Sequence, residues 1–418
     1  MTTTWSGSHT FGAATIHRPR TLDELQDLVA ASRRVRALGS RHSFNDLADS
    51  PGDLVVLDAL AASDAVEVDS QARTATAPAG MRYGELAREL HARGWALHAM
   101  ASLPHIGLAG AVATATHGSG DGAGNLASGV AGLELVGADG TLRVLARGDD
   151  DLAGSVVALG ALGVVTRVTF DVEPTYDVTQ TVDLDLPWDA ALEHFDAITA
   201  SADSVSLFTD WSGPAVQQVW RKARVPSEGE PGGRDDVERY GARPATTTQH
   251  PIAGIDPVAC TAQLGEPGPW HERLPHFRLD FTPSSGDELQ SEYLLPRRHA
   301  AAALTAVRAL SPVVTPLLLV SEVRTVAADD LWLSTAYGVD TVALHFTWRQ
   351  VPEVVHVLPT IEDALAPFDA RPHWGKLFAD RDRALARLYP RWDDFRALVA
   401  RRDPGGVFAN DFLTRHVL

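Results

Sequence analysis

One cysteine, Cys260, and two lysines, Lys222 and Lys376, are all that the 418 residues contain of those types. A single thiol excludes an intrachain disulfide and any zinc site built on cysteine pairs, so a core must hold by packing. Basic residues are also in the minority: 36 Lys and Arg against 54 Asp and Glu give a formal charge of −18. A field of that sign repels phosphate backbones and anionic headgroups, which makes nucleic acid and membrane surfaces poor partners. Long apolar runs are missing too. The most apolar stretch, Val156 to Val165, falls short of the ~18 residues that span a bilayer, and Met1 to Arg20 has no apolar signal-peptide region. The expectation is a soluble cytoplasmic protein.

With 34 arginines beside two lysines, the rarer residue is informative. Arginine replaces lysine on a surface but cannot replace one that must lose its proton, because guanidinium stays charged beyond pH ~12. Lys222, in Trp220-Arg221-Lys222-Ala223-Arg224, reads as a solvated residue opening a polar loop. Lys376, in His373-Trp374-Gly375-Lys376-Leu377-Phe378, has aromatic and apolar neighbours that suit a partly desolvated amine.

At about 150 residues per domain the length implies two to three domains. The pattern is α+β: a helix over Leu22–Ala31, strands at Arg34–Leu38, Leu54–Asp58, Ala65–Asp69 and Thr74–Ala77, and a helix over Tyr83–Arg93. A hairpin follows at Leu133–Leu145 around Asp139-Gly140, then a strand at Val164–Val172 closed by Glu173-Pro174, where a boundary is placed. Beyond it the pattern predicts helices over Trp188–Ser201 and Arg298–Leu310, with strands at Val205–Thr209, Phe277–Phe281, Leu317–Thr325 and Val342–Trp348. Pro226–Gln249 reads as an exposed insertion. Leu385–Ala400 reads as an amphipathic helix stopped by Asp403-Pro404-Gly405-Gly406.

Common catalytic signatures are missing: there is no Ser with Gly at both −2 and +2, no H-E-x-x-H and no P-loop. Gly118-Ser119-Gly120-Asp121-Gly122-Ala123 fits a dinucleotide fingerprint in letters, but no strand precedes it. His271, Glu272 and His276 surround Pro275, which breaks any helix that would align them on a metal. Three segments remain. Leu38-Gly39-Ser40-Arg41-His42-Ser43-Phe44-Asn45 ends a strand in a turn whose amides can gather round an anion. Ser102 to Gly120 is nearly all small residues, which make either a tightly packed turn or a wall for a flat ligand. Glu322 and Arg324, and 21 residues after Arg324 the pair His345 and Thr347, share strand faces by period two. They form either a salt bridge with a core histidine or the lining of a polyhydroxylated-ligand site.

Taken with Ala101-Ser102-Leu103-Pro104-His105-Ile106, Ala113 to Gly120, Gly160 to Thr166, Ser206 to Trp211 and His373-Trp374-Gly375-Lys376, these segments resemble the vanillyl-alcohol-oxidase family of FAD enzymes. Within it the sequence is similar to the alditol (xylitol) oxidases over essentially its full length. The resemblance implies a two-domain fold: an FAD-binding portion over residues 1–173, a substrate cap over 174–370, and a C-terminal segment, 371–418, that returns to the FAD domain. It implies FAD bonded covalently to His42. Cofactor contacts are implied at Gly39, Ser40, Arg41, Ser43, Ser102, Gly107, Gly110, Thr114, Ala115, Thr116, His117, Gly118, Val165 and His373. A polyol would be held by Ser102, Glu322, Arg324, Thr347 and Lys376 beside His345, with Lys376, Arg324, Glu322 and His345 carrying the chemistry. Arg41 stands where close relatives often have Gly. The implied reaction oxidises a terminal hydroxyl with O2 as acceptor, in a chain expected to be monomeric and without a metal. Two rivals are an aldonolactone oxidase or dehydrogenase of the same family, and a non-catalytic carbohydrate-binding protein.

Overall fold

The computed structural model describes residues 2–61, 65–226, 237–281, 286–379 and 384–418. In the N-terminal portion, helix Leu22–Ala31 begins where Thr21 Oγ1 accepts the Glu24 N–H (3.2 Å) and buries Leu25 and Val29. A parallel three-stranded sheet, in the order Thr15–His17, Asp53–Val55, Val35–Ala37, leads into the Leu38–Asn45 turn. A second sheet runs in the order Glu67–Asp69, Thr74–Pro78, Val164–Asp171, Val130–Val136, Leu142–Ala146. Its last hairpin turns at Gly140, whose φ of 76° is left-handed and suits glycine.

The C-terminus returns to this portion. Phe395, Leu398, Phe412 and Leu413 join its core, and Val35 N–H donates to Val407 O at 2.9 Å. Arg36 ties the pieces together: its buried guanidinium donates to the carbonyls of Leu47 (2.6 Å), Leu159 (2.7 Å), Gly160 (3.1 Å) and Phe408 (3.0 Å). Charge-assisted bonds of this kind contribute about 1.5–3 kcal/mol each. Burial pulls the group down to about 10, still well above neutrality.

The second domain is built on a nine-stranded sheet in the order Arg243–Pro244, Asp177–Pro187, Ala215–Arg224, Ser204–Thr209, Leu318–Val326, Thr341–Arg349, Glu288–Pro296, Arg371–Pro372, with Gly268–Pro269 also paired to Asp177–Pro187. Alternation divides its faces. Tyr293, Val323, Leu344, Phe346 and Trp348 pack on helices Trp188–Glu193, Ala300–Ala309 and Val354–Leu365. Each such large apolar side chain contributes roughly 1.5–3 kcal/mol by burial. The opposite face carries Gln290, Glu292, Glu322, Arg324, His345 and Thr347.

Some elements differ from the sequence-based expectation. Trp188–Ser201 is two short helices broken at His194. Phe277–Phe281 is not a strand: it makes one bridge, Phe277 to Cys260, because the N–H groups of His276 and Phe277 both donate to Ser102 O. The strand of that region is Glu288–Pro296. Lys222 does not open a loop but lies buried within strand Ala215–Arg224. Leu385–Ala400 breaks at Pro390 into a 3₁₀ turn, Ala384–Leu388, and helix Trp392–Arg402. Of the expected insertion, residues 227–236 lie outside the described residues, and Arg243–Pro244 pairs at the sheet edge. The cap sheet continues to Pro372, two residues past the expected boundary.

Candidate active site

A cavity of about 720 Å³ runs from the Leu38–Phe44 turn, past Gly107, to the polar face of the large sheet. Its size lies within the range of ligand and cofactor sites, ~300–1,000 Å³. At the turn, Ser40 Oγ accepts the Gly107 N–H (2.9 Å) and meets His42 Nδ1 at 3.0 Å. His42 stacks on Trp5, with ring centroids 5.3 Å apart. Burial, then the charges of His105, Lys376, Arg82 and Arg41, push its imidazole down to about 4, so the ring is neutral near pH 7.

Arg41 has φ 65°, a left-handed backbone that explains why glycine suits this position. Its guanidinium is drawn to Thr3 O (3.4 Å), while its carbonyl accepts the Trp5 N–H (2.8 Å). Gly39, Ser43, Ser102, Gly110, Thr114, Thr116, His117, Val165 and His373 also line the cavity. No atom lies within 4 Å of where a Cβ would sit on Gly39 or Gly110, so bare backbone meets open space there. Ala115 and Gly118 are behind the wall rather than in it: Ala115 is fully buried, and a Cβ on Gly118 would lie 2.5 Å from Met100 O.

At the other end, Glu322 and His345 face each other across one ladder, and His345 faces Glu292 across the next. Arg324 Nη2 donates to Glu292 Oε1 (2.6 Å) and Nη1 to Ser102 Oγ (3.2 Å). His345 Nε2 is 3.1 Å from Thr347 Oγ1. Burial would raise Glu292, but Arg324, His117 and His345 outweigh it and hold the carboxyl well below its usual range. Glu322 is likewise held down by Arg324 and His276 against its burial. Burial lowers Arg324, and Glu322 and Glu292 more than reverse this. Three buried nitrogens, His117 Nε2, His345 Nδ1 and Arg324 Nε, lie 3.2, 3.4 and 3.6 Å from a carboxylate oxygen yet make no hydrogen bond. Such unfilled polar capacity suits a hydroxylated ligand.

Lys376 reaches this site through its segment. His373 N–H donates to Glu292 O (2.9 Å), Leu377 N–H to Gln290 O (2.8 Å), and Phe44 N–H to Gly375 O (2.8 Å), clamping the lysine between cap sheet and turn. Its Nζ donates to Gln290 Oε1 and sits 5.1 Å from the Phe44 ring centroid. Burial lowers the amine to about 8, with Arg324 reinforcing and Glu292 opposing. Burial also lowers His373 to about 3.

Glu292, Gln290, His276 and Lys222 belong to this region and were not singled out for it from sequence. The signal for two of them is the alternation Glu288-Leu289-Gln290-Ser291-Glu292-Tyr293, which marks a strand with one polar face.

The donor set fits FAD: bare glycine backbone at a strand-ending turn, apolar walls, a neutral imidazole, and cationic groups at the far end. Residues 13–146 match the FAD binding domain model, and residues 287–416 match the D-arabinono-1,4-lactone oxidase model. An alditol oxidase from Streptomyces sp. (strain IKD472 / FERM P-14339) is 50% identical over 415 residues, 98% of this chain and 97% of that one. An L-gulono-1,4-lactone dehydrogenase of Mycobacterium tuberculosis is 30% identical over 428 residues, covering 99% and 98% of the two chains. The fold is that of cholesterol oxidase from B. sterolicum, with a TM-score of 0.77 over 100% of this chain and 96% of that one at 14% identity. With a turn and cavity suited to FAD and 50% identity along nearly the whole chain, the protein belongs to the alditol oxidase family of FAD-dependent oxidoreductases.

Proposed function

We propose that the protein oxidises the terminal primary hydroxyl of alditols such as xylitol and sorbitol to the aldose, with FAD bonded covalently through His42 and O2 as the final acceptor. The observation that carries the reading is the buried polar face formed by the charged Glu292, Glu322 and Arg324 with His345 and Thr347 at the end of the cavity opposite His42. Bound FAD would supply the hydride acceptor, at flavin N5, and the route of electrons to O2 that yields H2O2.

The residues divide the work by their chemistry. Arg324 has five donors and no acceptor, and Glu292 and Ser102 already engage two of them, which fixes the fork while leaving charge for a developing alkoxide. Glu322, ionised, accepts a substrate hydroxyl, and Thr347 and Ser102 add neutral bonds. Lys376, lowered to about 8, can hold or release a proton near neutral pH, which suits the departing hydroxyl proton. A neutral His42 has the lone pair that bonding to an activated flavin methyl requires.

The test is anaerobic mixing of the purified yellow protein with xylitol. Loss of flavin absorbance, and stoichiometric H2O2 on readmitting air, is the expected result. A flavin that xylitol and sorbitol leave oxidised, while L-gulono-1,4-lactone bleaches it, would move the assignment to lactone oxidation.

A further inference from the structure

Lys222 is one of only two lysines in the chain, and the reaction outlined above does not use it. It is 1% exposed on strand Ala215–Arg224, two strands from Glu322 and Arg324. Its Nζ donates to the carbonyls of Leu274 and Pro275 (the latter 3.0 Å) and lies 3.0 Å from His276 Nδ1. An ammonium has three protons and accepts nothing, so these three partners saturate it. His276 Nδ1 must then be the acceptor, which puts the ring proton on Nε2, 2.7 Å from Glu322 Oε1. The ring packs against Trp220 and Phe208, with centroids at 5.2 and 5.4 Å, and the residue's backbone is anchored by the His276 main-chain N–H donating to Ser102 O at 3.0 Å.

We propose that Lys222 and His276 are positioning residues for the oxidation: the ammonium fixes the imidazole tautomer, and the imidazole N–H fixes Glu322 as an ionised acceptor for a substrate hydroxyl. The proposal rests on the reading of Glu322 as a polyol contact. His276 itself does not titrate near neutrality, because burial and then Lys222 push it down to about 4 against Glu322. Lys222 does: burial lowers it to about 7, Glu322 opposing and Arg324 reinforcing. Cys260 is raised by burial to about 12 and is neutral. On its other side Lys222 borders a second cavity, about 540 Å³, whose charged groups are Asp121, Asp203, Arg224 and the titratable His98 and Tyr176. Asp121 pairs with Arg297 (2.7 Å), Asp203 accepts the Arg224 N–H (2.7 Å), and the Arg224 side chain pairs with Glu173 (2.6 Å). That cavity gives the amine a path for proton exchange. Losing the proton leaves two N–H donors for three acceptors and a lone pair free to face Nδ1, so the hold on the tautomer weakens.

The experiment uses holoenzyme of wild type, Lys222→Met and His276→Gln, each shown to carry flavin, and follows KM for xylitol and the anaerobic flavin-reduction rate against pH. Wild-type KM should rise on the alkaline side with a midpoint well below the ordinary lysine value near 10.4. In Lys222→Met it should be raised roughly 10-fold or more already at neutral pH, the usual consequence of losing a bond to a charged group, and should lose the part of the alkaline rise that belongs to Lys222, keeping only that of Lys376. His276→Gln, whose amide donates to Glu322 whatever the state of Lys222, should keep a low KM and lose the Lys222 part of the alkaline rise. If Lys222→Met does not fold, the His276→Gln profile decides. Variants that retain both the wild-type KM and its whole alkaline rise overturn the inference while leaving polyol oxidation standing. A wild type inactive on xylitol overturns the underlying reading as well.

Discussion

Glu292 and Arg324 stand on strands that are not neighbours, and their side chains meet at 2.6 Å over the strand that carries His345. Both are nearly inaccessible, at 2% and 7% exposure. Removing one member of a buried pair costs about 3–5 kcal/mol, because the other charge is left without compensation. Glu292→Gln should therefore destabilise the fold by about that amount at neutral pH and disorder Arg324 at the substrate end. Glu292 and Glu322 are both held below the ordinary carboxylate value near 4.3. Their stabilisation is thus complete above that value and is lost as pH falls through the folded-state pKa values. Thermal unfolding against pH should show a shallower acid limb in Glu292→Gln, and a variant melting with wild type at neutral pH contradicts the assignment.

His42 should carry the cofactor covalently. Intact-mass measurement of wild type is expected to exceed the polypeptide by one FAD, and His42→Ala to show bare polypeptide with flavin released on acid precipitation. Flavin-replete wild type with only the polypeptide mass rules the linkage out.

Arg41 supplies a test of backbone strain. A left-handed φ costs a non-glycine residue roughly 1–2 kcal/mol, while glycine loses about 0.4–1 kcal/mol to unfolded-chain entropy. Arg41→Gly is expected to be neutral or up to about 1.6 kcal/mol more stable, and Arg41→Val clearly less stable, since branching at Cβ tolerates this region worst. Chemical denaturation that ranks valine with glycine contradicts this.

Lys376 is the residue for which charge alone is insufficient. With its amine lowered to about 8, Lys376→Arg should slow flavin reduction by xylitol nearly as much as Lys376→Met, by about 10²–10⁴-fold. Stopped-flow rates for the Arg variant within about tenfold of wild type, well below that range, assign the lysine an electrostatic or structural role instead.

The parts of the site legible in the sequence are those with a local signal. Gly39-Ser40 ends a strand, Glu322 and Arg324 repeat by two, and Lys376 sits among aromatics that match its partly buried place. The rest depends on what covers each face. Lys222 lies in a run of charges that reads as solvent-facing, yet both faces of Ala215–Arg224 are covered: Arg221 turns to Asp183 at 2.8 Å while Lys222 turns inward. Strand Glu288–Pro296 hides its role similarly, because a polar face that looks made for water is roofed by the FAD portion. Trp188–Ser201 carries one helical pattern, and only the geometry at His194 divides it.

The most direct test of the central claim is the ratio of kcat/KM for xylitol, 1-butanol and L-gulono-1,4-lactone, read as H2O2 produced by the purified holoenzyme. Ser102, Glu322, Arg324 and Thr347 offer more directed bonds than one hydroxyl can fill, and buried partners left unpaired cost about 1–3 kcal/mol each. Two unfilled partners predict xylitol ahead of 1-butanol by at least about 30-fold. Equal kcat/KM for xylitol and 1-butanol, or a lactone preferred to xylitol, would contradict it.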